Sequence, residues 1–415
     1  MPILESRRVL DLTNERGLLC GQILADLGAD VIAVEPPGGS SARRVGPFAG
    51  DVRDPERSLL WWSYSRNKRS ITLDLEHPDG RKLLRRLASA ADFLIESFEP
   101  GFMASRGLAY EELAPINASL VYVSITGFGQ TGPKAHYADA DLILLAAGGP
   151  LVLGGDDDRP PVRLSVPQAY LHAGADAAVA ALVAHHERVR SGRGQHADIA
   201  AIQSVAMATQ SGILAAPLRA TELRRLAGGL KLGPLNLPVI WPAKDGFISM
   251  TFLFGSALGV FTRKLMHYVC AQGYCDEATR DKDWIGYGEM LLSGREPLSE
   301  FERVKELVRN FTRAHTKAEL LNLALERGFL MTPVSTIGEV TRSEQLASRE
   351  YWRAIEDPLS GTEYIVPGPF VKFSATPIEY RCRPPKIGEH NREVYLGELG
   401  LSNEEFSNLM RAGVI

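Results

Sequence analysis

The chain has 415 residues, 45% of them hydrophobic and 23% charged, and a formal net charge of −4. This is the composition of a globular protein with room for two domains or one large elaborated one, and the charge gives no reason to expect nucleic acid or an acidic membrane surface as a partner. The opening "MPILESRRVLDLT" lacks the apolar core of a signal peptide, and no run of about 18 apolar residues occurs, so a cytoplasmic protein that does not span a membrane is expected.

In chain order, "RRVLDLT" reads as a strand, "GLLCGQILADLGA" as a helix with apolar residues at helical spacing, and "DVIAVEPPGG" as a strand stopped by Pro and Gly. That is a β-α-β unit with a right-handed crossover. Glu35 ends the second strand as the ribose-binding acid of dinucleotide folds does. The intervening loop "TNERGLLCG" has no glycine fingerprint, which argues against a nicotinamide site. The alternation continues: strand "SITLDL", helix "PDGRKLLRRLASA", strand "DFLIESF", helical "AYEELAPIN", strand "LVYVSITGFG". "GFGQTG" matches a phosphate-binding pattern by letter but runs into Pro133 instead of a helix, so it reads as a loop. Residues 165–195 read as a turn, a long Ala-rich helix and a tight Gly-Arg-Gly turn, followed by a strand "HADIA".

Alternating elements over residues 1–215 predict a doubly wound α/β domain. From 216 to 330 the character changes to Gly- and Pro-rich segments and charged helices such as "LSEFERVKELVRNF" and "KAELLNLALERG", predicting a smaller α+β domain. Beyond 330, "TPVSTI" and "FVKFS" read as strands and "SNEEFSNLMRAG" as a final helix. Cys20, Cys270, Cys275 and Cys382 lack metal-ligand spacing and read as reduced structural thiols; no metal is expected.

Several segments together resemble one family, the class III CoA-transferases (formyl-CoA transferase, carnitine and bile-acid-inducible family). They are "QILADLGADVIAVEPPGG", "RNKRSITLDL", "FEPGFMASRGL", "GFGQTGP", "SGRGQHADIA" and "PKIGEHNREVYLGELGLS", spanning residue 8 to the end of the chain. The resemblance implies a Rossmann-like large domain built from residues 1–215 and 331–415, a small domain at 216–330, and two open rings interlocked as a dimer. It also implies coenzyme A as substrate, exchanged between an acyl-CoA thioester and a carboxylic acid. CoA's phosphates call for cations and backbone donors. The resemblance implies CoA contacts at Asn67, Lys68 and Arg69 in "SRNKRS" and at Phe98 in "SFEPGFMASRG"; the family's basic residue of the latter segment falls at Ser105 here, with Arg106 one step later as the candidate. A solvated basic turn and a core aromatic are the plain alternatives for the two groups.

In the family an aspartate just before the Ala-rich helix attacks the donor thioester, giving a mixed anhydride and then an aspartyl-CoA thioester. Counting back from Gly174 and Gly192 places Tyr170 there, and no Asp or Glu lies between Pro160 and Gly174. A phenol forms neither intermediate. Asp141, where formyl-CoA transferase has an accessory glutamate, and Glu15, where relatives often have a glutamine, are the substitute acids; a helix cap and a solvent-facing loop acid are their plain readings. His172 is a possible base, and Asp176 lies on the helix itself. The racemase branch needs a His at Ala140 and an Asp at Tyr170, so α-methylacyl-CoA racemase chemistry is disfavoured. Two readings remain: a subunit without a nucleophile, partnered by a paralogue as in benzylsuccinate CoA-transferase, or a self-sufficient homodimer using Asp141 or Glu15. Trp61, Trp62 and Tyr64 suggest bulky apolar walls.

Overall fold

A computed structural model describes residues 2–220, 223, 225, 228–356 and 360–415. The chain divides into two compact units, Met1–Val152 with Arg163–Glu222 and Gln345–Ile415, and Leu153–Val162 with Leu223–Glu344.

The first unit is built on six parallel strands: β1 (Arg8–Leu12), β2 (Asp30–Glu35), β3 (Lys68–Thr72), β4 (Phe93–Glu96), β5 (Val121–Thr126) and β6 (His196–Ala200). They lie in the order β3-β2-β1-β4-β5-β6. The strands read as apolar runs because both faces of the sheet are covered. Val9, Val31, Phe93 and Val121 face one layer, and Leu10, Ile32, Leu94 and Tyr122 the other. The first layer holds the helices α1 (Leu18–Asp26), α5 (Asp141–Ala147), α6 (Ala169–Ser191) and α7 (Ala201–Met207). The second holds α3 (Pro78–Ala88), α4 (Tyr110–Leu113) and the C-terminal helix Asn403–Arg411. A further helix, α2 (Leu59–Ser65), is capped by Ser58, whose hydroxyl accepts from the Trp61 amide.

Twenty-three residues make α6, and its buried side chains are mostly alanines. It packs against α1 through Gly174, where an added Cβ would stand 3.0 Å from Leu19 Cβ. It ends at Gly192, which has φ 71° and donates to Arg188 O at 2.8 Å. The C-terminal segment returns to the first unit. Tyr395 Oη donates to Thr72 O at 2.8 Å, and Asp74 N to Val414 O at 2.8 Å.

The second unit has its own core around Trp241, Phe252, Trp284, Phe301 and Phe311. Strands Ile240–Ala243, Gly246–Met250 and Met331–Pro333 form an antiparallel sheet, with helices Gly255–Ala271, Leu298–Ala314 and Lys317–Arg327. Three sequence expectations change. The boundary expected at 330 lies at 344, because Met331–Pro333 pairs with Gly246–Met250 and so belongs to the second unit's sheet. "FVKFS" is not a strand; the tail's hairpin is Trp352–Glu356 with Glu363–Pro367. Cys270 and Cys275, expected as thiols, form a disulfide with Cα atoms 4.5 Å apart, because the chain doubles back at Gly273 directly after its helix. Cys20 and Cys382 are free. Among the described residues no helix is long and apolar enough to cross a membrane.

Candidate active site

In the strand order the direction of winding reverses between β1 and β4, and open α/β sheets bind ligands beyond the carboxyl ends at such a point. The loops leaving these two strands are joined. Asn14 N donates to Ser97 Oγ at 2.9 Å, and Arg16 Nη1 to Glu99 Oε1 at 2.7 Å. Glu35 is not a ligand acid: it is buried and holds Arg43 Nε at 2.6 Å.

Glu96 closes the end of β4. It is buried and accepts from Phe98 N at 2.7 Å. Burial pushes its carboxyl up to about 7 from the ordinary 4.5, against the opposing pull of its hydrogen bonds to Ser124 and Phe98. A raised acid binds its proton more tightly folded than unfolded. The stability it gives is therefore whole below about 4.5 and lost as pH rises through about 7. Glu96→Gln keeps the acceptor without the charge. Denaturant melts should show it more stable than the parent by roughly 2–3 kcal/mol at pH 8 and equal to it at pH 4.

The mouth of α6 carries an acid brought from another element. Gln168, at the helix N-cap position, makes no side-chain cap. Instead Asp141 Oδ1 accepts from Gln168 N at 2.5 Å and Ala169 N at 2.8 Å, filling two orphan donors and placing negative charge at the positive helix end. Asp141 Oδ2 is buried without a hydrogen-bond partner.

Asp139, two residues earlier, has a side chain only 5% exposed and pairs with Arg16 Nη2 at 3.0 Å. It fits because residue 127 is glycine; a Cβ there would lie 2.5 Å from Asp139 Oδ2. Tyr170 is half-buried beside this pair, with the Arg16 guanidinium 6.0 Å from its ring centre. The phenol oxygen is buried and makes no hydrogen bond of ordinary geometry. Burial, and then the neighbouring Asp139 carboxylate, push its pKa up, so it stays neutral. Glu15 is exposed and accepts from Ser41 Oγ at 2.6 Å. His172 is exposed.

Glu15, Asp141 and Tyr170 all line one cavity of about 670 Å³, together with Arg16, Asp139 and Tyr64. Trp61 and Trp62 do not; they are buried in a core cluster with Leu18, Ala33 and Ala42. The five residues placed on CoA stand apart from the cavity. Asn67 and Lys68 are buried. Asn67 Nδ2 donates to Asp26 Oδ1 at 3.1 Å and to Glu379 O at 3.0 Å, and Lys68 Nζ to Asp11 Oδ2 at 2.8 Å. The structure gives both side chains an internal task. Arg69 is held by Asp30, Glu393 and Glu398. Phe98 stacks on Phe102 at 4.2 Å, and Arg106 covers the same Phe102 ring at 3.5 Å while pairing with Glu76. Among the described residues no group of three His, Cys, Asp or Glu could hold a metal.

Sequence reasoning misses Asp139, Arg16 and Glu99. "ADAD" shows both acids, but nothing local says that the first meets residue 16, over a hundred positions away.

The fold is that of a family of acyl-group enzymes. Residues 4–391 match the model of CoA-transferase family III, and the chain belongs to that family. It is 37% identical to the subunit BbsE of succinyl-CoA:(R)-benzylsuccinate CoA-transferase from Thauera aromatica, over 98% of this chain and 97% of that one. It is 33% identical to succinyl-CoA–D-citramalate CoA-transferase from Chloroflexus aurantiacus, over 99% and 98%. The crystal structure of a CAIB/BAIF family protein from Brucella suis superposes with a TM-score of 0.79 at 27% identity, covering 95% of this chain and 98% of that one. The relatives are CoA-transferases, which use acyl-CoA as substrate.

Proposed function

We propose that this chain is the non-nucleophilic subunit of a cytoplasmic heteromeric CoA-transferase, moving CoA between an acyl-CoA thioester and a carboxylic acid only beside a related chain that bears Asp where this one has Tyr170. The observation that carries this reading is Tyr170 itself, a neutral, half-buried phenol at the nucleophile's position, held so by burial and Asp139. Likeness to a protein that is itself a subunit supports it. An interlocked dimer is supported by the outward face of α6, where Val179, Val183 and Val189 are 60–70% exposed. CoA contacts are assigned to the Phe98–Phe102–Arg106 stack and to Asn67, Lys68 and Arg69 at the start of β3. Asn67 and Lys68 are buried as whole residues, so Arg69 is the member of this stretch left partly open to a ligand.

The second reading, a self-sufficient homodimer, is favoured by one feature: Asp141 lines the cavity and has a buried Oδ2 without a hydrogen-bond partner. Native mass spectrometry of the protein isolated from its source tests the choice. A mixed oligomer with an Asp-bearing relative is expected. A homodimer with CoA-transferase activity that Asp141→Asn or Glu15→Gln abolishes would replace the first reading with the second.

A further inference from the structure

The cavity beside Tyr170 also bears on which acid is handled, an inference that rests on the CoA-transferase reading above. We infer that it takes a bulky, largely apolar acyl group, aryl or long alkyl, and rejects short dicarboxylic acyl groups. Its volume of about 670 Å³ lies within the roughly 300–1,000 Å³ of pockets that enclose drug-sized ligands. Leu18, Leu59, Leu60, Tyr64, Val166 and Leu171 supply apolar wall from three elements and the segment before α6.

The charges in the wall point the same way. Glu15, Asp139 and Asp141 line the cavity, and among the described residues its only cation is Arg16. That guanidinium is already held by Glu99 at 2.7 Å and Asp139 at 3.0 Å. A second carboxylate on the acyl group would lose its hydration, find no free cation, and face three acids of its own sign. An apolar acyl group meets none of these costs, and its burial against leucine and tyrosine surface is favourable.

The test is calorimetric titration of the purified protein, with any partner it carries, using 3-phenylpropanoyl-CoA, octanoyl-CoA, succinyl-CoA and free CoA. The apolar thioesters are expected to bind at least tenfold more tightly than succinyl-CoA. Leu60→Lys, which supplies the absent cation from a half-buried position on α2, should narrow or invert that ratio; Leu60→Gln controls for lost apolar surface and should not favour succinyl-CoA to the same extent. Succinyl-CoA binding the parent as tightly as the apolar thioesters, or a folded Leu60→Lys protein with the parent's ratio, overturns the inference and leaves the family reading standing. Failure of every CoA species to bind overturns the CoA-transferase reading, and the inference with it.

Discussion

Tyr170→Asp by itself is expected to leave the protein with little covalent adduct after incubation with an acyl-CoA, whereas Tyr170→Asp combined with Asp139→Asn should form at least about tenfold more. The reason is electrostatic. The Asp139 side chain is 5% exposed and already pairs with Arg16. A second carboxylate at position 170 would share that one guanidinium, which also serves Glu99. Two acids in one buried site cannot both ionise easily, and one is pushed well up the pH scale. The protonated member cannot attack a thioester carbonyl. Removing the charge at 139 lets the carboxyl introduced at position 170 ionise against Arg16. Intact-mass spectrometry, with hydroxylamine to cleave an anhydride or thioester, reads the outcome. Equal adduct in the single and double variants would show that the two carboxylates do not interact. No adduct in either would show that more than the nucleophile has been lost from this site.

The largest stability effect is expected at Lys68. Its ammonium is buried, 2.8 Å from Asp11 Oδ2 and 3.3 Å from Leu18 O. The other Asp11 oxygen accepts from the Thr13 amide and hydroxyl at 3.0 and 2.6 Å. Lys68→Met strands that carboxylate without its counter-ion, which costs about 3–5 kcal/mol. Lys68→Met with Asp11→Leu removes both charges and should recover part of the loss, the remainder being the cost of leaving the Thr13 amide and hydroxyl without their acceptor. Denaturant melts give the stabilities. A CoA titration on the folded fraction separates this role from a ligand contact: a drop in CoA affinity at unchanged stability would make Lys68 a binding residue and contradict its burial with Asp11.

The same lysine shows why β3 starts earlier than its pattern predicts. The apolar pattern begins at Ser70, but the strand begins at Lys68, because a charge that reads as loop is neutralised by Asp11 on β1, which lies beyond β2 in the sheet. Likewise α2 is not legible in the sequence. "LLWWSYS" has no helical polar face, since Trp61 and Trp62 are buried against segments distant in sequence, including Pro385 O, which accepts from Trp61 Nε1 at 3.2 Å. The second unit's extent is hidden for a similar reason, its third strand being defined by pairing with Gly246–Met250.

Period, turn chemistry and spacing act over a few residues. They suffice for the parallel α/β unit, the end of α6 at Gly192, the family, and the absence of an acid from the helix entrance at Tyr170. That the α6 mouth is nonetheless acidic emerges only once the chain is folded. Asp141 caps it from α5, and Asp139 reaches Tyr170 only because Gly127 leaves room and Arg16, from the loop after β1, balances its charge. Burial and charge pairing depend on distance in space, and local pattern carries no record of them.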